Sequence, residues 1–240
     1  MNKRLVIQIE INPAELFLNR HYQQLCTIVA SLGYQIELYA DLIISTDVSG
    51  MISECPTIDE AAVPCITIDK LSSPKHLINY LVQLLTINEL KQIQPTKQAL
   101  IDYHSRFKLL LLAYSQPEYR KIGPYVAQLQ AVTEETLQIY KKKLLTIFAL
   151  GSSKQNHSNV VQHLQGYFRP YLNAQQKQQL VEQIEAFRQG QLSLLVVINQ
   201  LNDYLALYPN DYLRQQYYLT GYRDILQHSY LILEDSAHVE

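Results

Sequence analysis

The residues best placed to do chemistry lie between His157 and Gly190. Asn159, His163 and Tyr167 recur at every fourth position, so a helix through HSNVVQHLQGYF sets them in one stripe, with Gln162 and Gly166 beside it. A solvated helix face normally carries Lys and Glu. A stripe of amide, imidazole and phenol points either to a satisfied buried network, the commoner arrangement in helical cores, or to a surface that hydrogen-bonds a partner. A second constellation is His104 with Lys108, four residues apart and so on one helix face, with Arg106 about 160° from His104 around the helix. An ammonium beside an imidazole suits an anion such as phosphate; a solvated Lys next to a structural His has the same spacing. Asn156-His157 has the look of a helix cap. Lys141, Lys142 and Lys143 read as a plain solvated run.

Other chemistries leave no pattern. There is no Ser/His/Asp or Cys/His set at informative spacing, no paired metal-ligand motif among seven His and three Cys, and no Gly-rich turn after the first strand, where the sequence is INPAEL. No catalytic residue, metal site or cofactor is therefore assigned. Cys26, Cys55 and Cys65 show no CxxC spacing and read as reduced thiols. The absence of a long apolar run or a signal-like N-terminus gives the expectation of a cytoplasmic protein away from membranes.

Composition and charge bound the partners. Of 240 residues 48% are hydrophobic and 18% charged, ordinary for a globular chain, but 18 Tyr against 5 Phe and no Trp supply many rings whose hydroxyls need a partner. The net charge of −2 is unevenly spread: residues 97 to 223 carry 14 Lys/Arg against 8 Asp/Glu, while residues 1 to 96 are acidic. That surplus is compatible with phosphate contacts and well short of the strongly basic balance that announces nucleic-acid binding.

The elements that must position these residues follow from hydrophobic periodicity. The pattern predicts an α+β chain: a small N-terminal α/β unit over residues 1 to 90, an all-α domain of about six to seven helices over 96 to 220, and a tail over 221 to 240. In the first part LVIQIEI alternates as a strand. A helix then runs from Asn12-Pro13 through Phe17, Tyr22, Leu25 and Val29 to Gly33, and Tyr34 to Ala40 forms the second strand. Leu42 to Ser45 is a short apolar run, Met51 to Pro56 a loop, Cys65 to Ile68 another strand, and Pro74 to Leu85 a helix. Strand, helix and strand in this order favour at least partly parallel pairing. Beyond Pro95 the pattern is helical: Thr96 to Tyr114, a helix from Ser115 interrupted at Gly123-Pro124, Thr133 to Leu150, helices meeting at Asn173, one from Ser193, one capped by Asn210 or Asp211, and a last one over 222 to 233.

Four ordered segments in the helical part resemble the YbgA-like domain family, long a domain of unknown function. They are HSRFKLLLLAYSQPEYRKIGPYVA (104 to 127), HSNVVQHLQGYFRPYL (157 to 172), IEAFRQGQLSLL (184 to 195) and YLRQQYYL (212 to 219). The family's HxNVLQHLxGYF block appears as His157, Asn159, Val160, Gln162, His163, Gly166, Tyr167 and Phe168, and its His-x-x-x-Lys start as His104 and Lys108. Tyr114 stands where the family often has His, and LSLLVV lacks the usual prolines.

The resemblance implies a role through association. Such domains are commonly fused behind a cysteine-rich iron–sulfur domain in bacterial thiouracil and transfer-RNA 4-thiouridine desulfidases, where the helical part is thought to help hold the RNA. The first 95 residues lack the cluster-binding Ser-x-Cys start of that partner. The expectation is a non-enzymatic RNA-binding accessory module, transfer RNA foremost, with Arg106, Lys108, Arg120, Lys121, Arg169 and Arg188 on phosphates. His104, His157, Asn159, His163, Tyr167 and Gln215 would line a polar groove. Two other readings compete: a small-molecule enzyme or sensor using the polar stripe as its pocket, and a scaffold that docks a separate desulfidase protein.

Overall fold

The computed structural model describes residues 3–11, 13–39, 49–53 and 63–237. It is α+β, as the periodicity predicts, with eleven α-helices among the described residues and a four-stranded sheet near the N-terminus. The chain divides into two compact units. Unit 1 comprises Met1–Gln94, Glu134–Leu145 and Asp224–Glu240, and unit 2 comprises Pro95–Thr133 and Thr146–Arg223.

In unit 1, β1 (Lys3–Glu10), β2 (Tyr34–Tyr39), β3 (Gly50–Ser53) and β4 (Cys65–Thr67) lie in the order β2-β1-β3-β4, and every pair is parallel. Parallel sheets bury their inner strands, and Leu5, Ile7 and Ile9 of β1 are accordingly buried. Ile9, Ile52 and Ile66 stand in register across three strands, all buried. Between β1 and β2 the predicted single helix is two: α1 (Pro13–Leu18) and α2 (Arg20–Ser31). The break lies at Asn19, whose extended backbone lets its side chain accept from the His21 and Tyr22 amides, a cap inside what periodicity read as one helix. Phe17, assigned to the apolar face, is 56% exposed as a result.

Of Met51 to Pro56, expected to be a loop, Met51 to Ser53 belong to β3, and the rest lies outside the described residues. Gly-Met-Ile-Ser has neither alternation nor β-branched richness, and its strand state comes from pairing on both sides with β1 and β4. The Leu42 to Ser45 run lies outside the described residues. A short 3₁₀ turn (Ile68–Ser72) leads into α3 (Pro74–Leu90), one turn longer than predicted. Its Leu77, Leu81, Leu84 and Leu85 are buried.

Unit 2 holds α4 (Lys97–Tyr114), α5 (Gln116–Gln128), the end of α6 (Glu134–Ala149), α7 (Lys154–Phe168), α8 (Ala174–Gln189), α9 (Leu194–Leu207) and the short α10 (Asp211–Arg214). A 3₁₀ turn (Tyr217–Leu219) follows, and then the start of α11 (Gly221–Ala237), which extends four residues past its expected end. Thr96 caps α4, and Ser115 both ends α4 and caps α5. The Gly123-Pro124 interruption does not occur: α5 runs through it. Pro124 is exposed, so the hydrogen bond it cannot donate is missing on the solvent side, where water substitutes. Asn173 and Gln176 form a reciprocal capping box at the start of α8, and Gly190 ends that helix in the left-handed region. The cap of α7 is Ser153 and not Asn156, whose amide instead donates to the Tyr114 carbonyl and ties α7 to the end of α4. Helix α4 packs against α5, α7 and the 217–219 turn, with Leu100, Phe107, Leu110 and Leu111 fully buried.

Candidate functional site

Unit 2 assembles a series of polar rings from four helices. On α4, His104 is buried and lies flat on Tyr119 of α5, with ring centroids 5.3 Å apart and planes 4° from parallel. Gly123, one turn further along α5, faces the same imidazole, and a Cβ there would come within 3.9 Å of its Nε2. On α7, His163 meets Tyr167 edge-on at 5.5 Å, and Tyr167 stacks at 6.0 Å on Tyr212 of α10. Tyr212 also lies within electrostatic reach of Tyr119. Burial first, then the neighbouring Tyr167 and Tyr119, push its phenol up to about 12, and its oxygen is buried without a hydrogen-bond partner among the described residues.

These rings differ in exposure. Tyr119, Tyr167 and Tyr212 are half-buried and His163 is exposed, so the series opens to solvent at the α7 side and is closed at His104. Burial pushes the His104 imidazole down to about 4, and Lys108 one turn along adds to that, so the ring is neutral near pH 7. The array is thus a set of aromatic faces and hydroxyls beside one ammonium group. Such a surface can stack flat rings and hydrogen-bond their edges while a cation meets an attached anion.

The polar stripe of α7 is surface and not a buried network. Gln162 and His163 are exposed, Asn159 and Tyr167 are half-buried, and Asn159 accepts from Gln155 of its own helix. His157 is the buried member of the block. It is 5% exposed, with Nδ1 2.9 Å from the Tyr218 hydroxyl and Nε2 3.3 Å from that of Tyr222, on whose ring it also stacks. Burial holds its imidazole down at about 4, which keeps it neutral, one nitrogen donating and the other accepting. His157 is therefore a core residue, unavailable to a groove. Gln215 is exposed, three positions after Tyr212.

The six cations named from sequence do not form one patch. Lys108 and exposed Arg120 neighbour the His104–Tyr119 pair along their helices, and neither forms a salt bridge with a described residue. Arg106 lies about 160° around α4 from His104, over the Phe107 and Tyr217 rings at 5.4 and 5.6 Å. Lys121 is paired with Glu118 and Arg188 with Glu185, each one turn away on its own helix. Arg169 is exposed and follows Tyr167 by two positions, on a different side of the chain. Sequence reasoning missed Tyr119 and Tyr212 as site residues; their signals were the excess of tyrosine and their places inside the quoted segments 104 to 127 and 212 to 219. No group of three or more metal-ligating side chains occurs among the described residues, and none of the described helices is long and apolar enough to cross a membrane.

The fold and the ring series define a helical domain with a polar aromatic surface, in a chain that also carries a small parallel α/β unit. Comparison with known proteins gives that domain its family. The family described as "Protein of unknown function (DUF1722)" matches residues 108–222. The chain is also similar to "Uncharacterized protein YbgA" of Escherichia coli (strain K12), with 37% identity over 143 residues, 58% of this chain and 85% of that protein. The chain belongs to this YbgA-like family. No solved structure matches it.

Proposed function

We propose that unit 2 is a non-enzymatic RNA-binding module that receives unpaired bases on the His163–Tyr167–Tyr212–Tyr119 series and phosphates on Lys108 and Arg120. The observation that carries this reading is the ring series itself, with half-buried tyrosines and an open end at the exposed His163, next to two cations without salt bridges among the described residues. Base stacking on aromatic side chains contributes about 1–3 kcal/mol per base and tolerates any sequence. Unit 2 supports it with eleven Lys/Arg against six Asp/Glu. Transfer RNA is the RNA to test first, because similar domains accompany thiouridine desulfidases, and a desulfidase is then the protein partner to seek.

The test is binding of total transfer RNA to the intact chain across a salt series. Affinity should fall with salt, and Lys108→Ala with Arg120→Ala should reduce the log–log slope by about 2, as two lost phosphate contacts require. Arg188→Ala, whose guanidinium is engaged by Glu185, should leave the slope nearly unchanged. Binding that ignores salt, or that survives the double substitution in a folded protein, overturns the proposal.

A further inference from the structure

Within unit 1, the α6 residues Glu134, Leu137, Gln138 and Lys141 recur at one helical face, and with Leu90, Lys91 and Ile93 at the end of α3 they line a cavity of about 180 Å³. Lys141 is 6% exposed, while Lys142 and Lys143 of the same run are exposed, so the run is not the uniformly solvated face its sequence suggests. The Lys141 side chain forms no salt bridge or hydrogen bond with a described residue. Burial, with Lys142 adding to it, pushes its amine below the usual lysine range. An ammonium withdrawn from water without a partner is costly, and the cost is removed when an anion enters beside it.

We propose that this cavity binds a small organic monocarboxylate, its carboxylate on Lys141 and its apolar body against Leu90, Ile93 and Leu137. The buried ammonium of Lys141 sets the sign of the ligand. The amide of Gln138, one turn before Lys141, can serve the second carboxylate oxygen. The apolar share of the wall and the presence of Glu134 disfavour a compact dianion such as phosphate, which would face apolar surface and a like charge. The volume fits a body about the size of benzene, since an apolar cavity of about 150 Å³ accommodates that molecule. The site lies in a different unit from the ring series and does not depend on RNA binding.

The test uses the full chain, with acetate, butyrate, benzoate, benzamide and inorganic phosphate as probes in titration calorimetry and nuclear magnetic resonance. Benzoate is expected to bind with a dissociation constant of about 1 mM or tighter, and benzamide, its neutral counterpart, about 10-fold more weakly. Lys141→Met, similar in length and uncharged, should erase the preference for benzoate over benzamide. Should that variant fold poorly, Leu137→Phe, which fills the body of the cavity, should weaken benzoate more than acetate. The proposal is overturned if no carboxylate binds below about 10 mM. It fails equally if benzamide or phosphate matches benzoate, or if the lysine variant keeps the preference.

Discussion

Protonation of His157 should unfold the helical unit from within. Its imidazole titrates near 4 in the folded protein against 6.5 for an unburied histidine, and His104 behaves alike, through burial first and Lys108 second. Both are bases held neutral by burial, so the unfolded chain takes up protons that the folded chain refuses. Stability is complete above about pH 6.5 and declines as the pH falls towards 4, at about 1.4 kcal/mol per pH unit for each such group. Between about pH 7 and pH 5 each histidine then accounts for about 2 kcal/mol, and the pair for about 4 kcal/mol. Urea unfolding followed by circular dichroism measures this directly. His157→Gln, which keeps hydrogen-bonding atoms for Tyr218 and Tyr222, lowers stability at pH 7 but should halve the loss on acidification to about 2 kcal/mol. A variant that loses as much on acidification as the parent refutes the reasoning, as does a His157 ring resonance that titrates near 6.5.

Gly50 sits where any side chain would strike Leu84 and approach the Tyr80 hydroxyl within 2.9 Å, so Gly50→Ala should cost about 1–3 kcal/mol of overpacking; an unchanged urea midpoint would refute it. Asn173→Ala removes the side-chain oxygen that accepts from the Gln176 amide in the α8 capping box, while the bond from its own backbone N–H to Gln176 can persist, and should lower stability by about 1 kcal/mol without altering the salt dependence of RNA binding. The phosphate contacts of Lys108 and Arg120 and the carboxylate preference of Lys141 have their own binding tests above.

Residues with strong local signals were legible in the sequence. The alternation of LVIQIEI marked β1 because one strand period suffices to show it, and Thr96, Ser115 and Asn173 marked helix starts because a cap is a local hydrogen bond. β3 was not legible, since Gly50 to Ser53 become a strand only through partners far away in sequence. Pro124 was misleading: it forbids one hydrogen bond, and on an exposed face α5 tolerates the loss. In the candidate site, His163 and Tyr167 could be paired by spacing on one helix, but Tyr119 and Tyr212 are brought near each other by the fold alone. Lys141 could have been found. It shares a helical face with Leu137, Leu144 and Phe148, all buried, and only the neighbouring lysines concealed it.

The three separate stretches that compose unit 1 also fix an order of events during synthesis. The strands and α1 to α3 leave the ribosome before unit 2, whereas the 224–240 stretch leaves only after all of unit 2. At ordinary elongation rates of roughly 5–20 residues per second, the first part waits roughly 10–30 s for the piece that completes it. Unit 2 has no such dependence on the 224–240 stretch and can close while unit 1 is still unfinished. The nascent parallel sheet, slow to form in any case because its contacts are distant in sequence, keeps its strand edges exposed to aggregation during that wait.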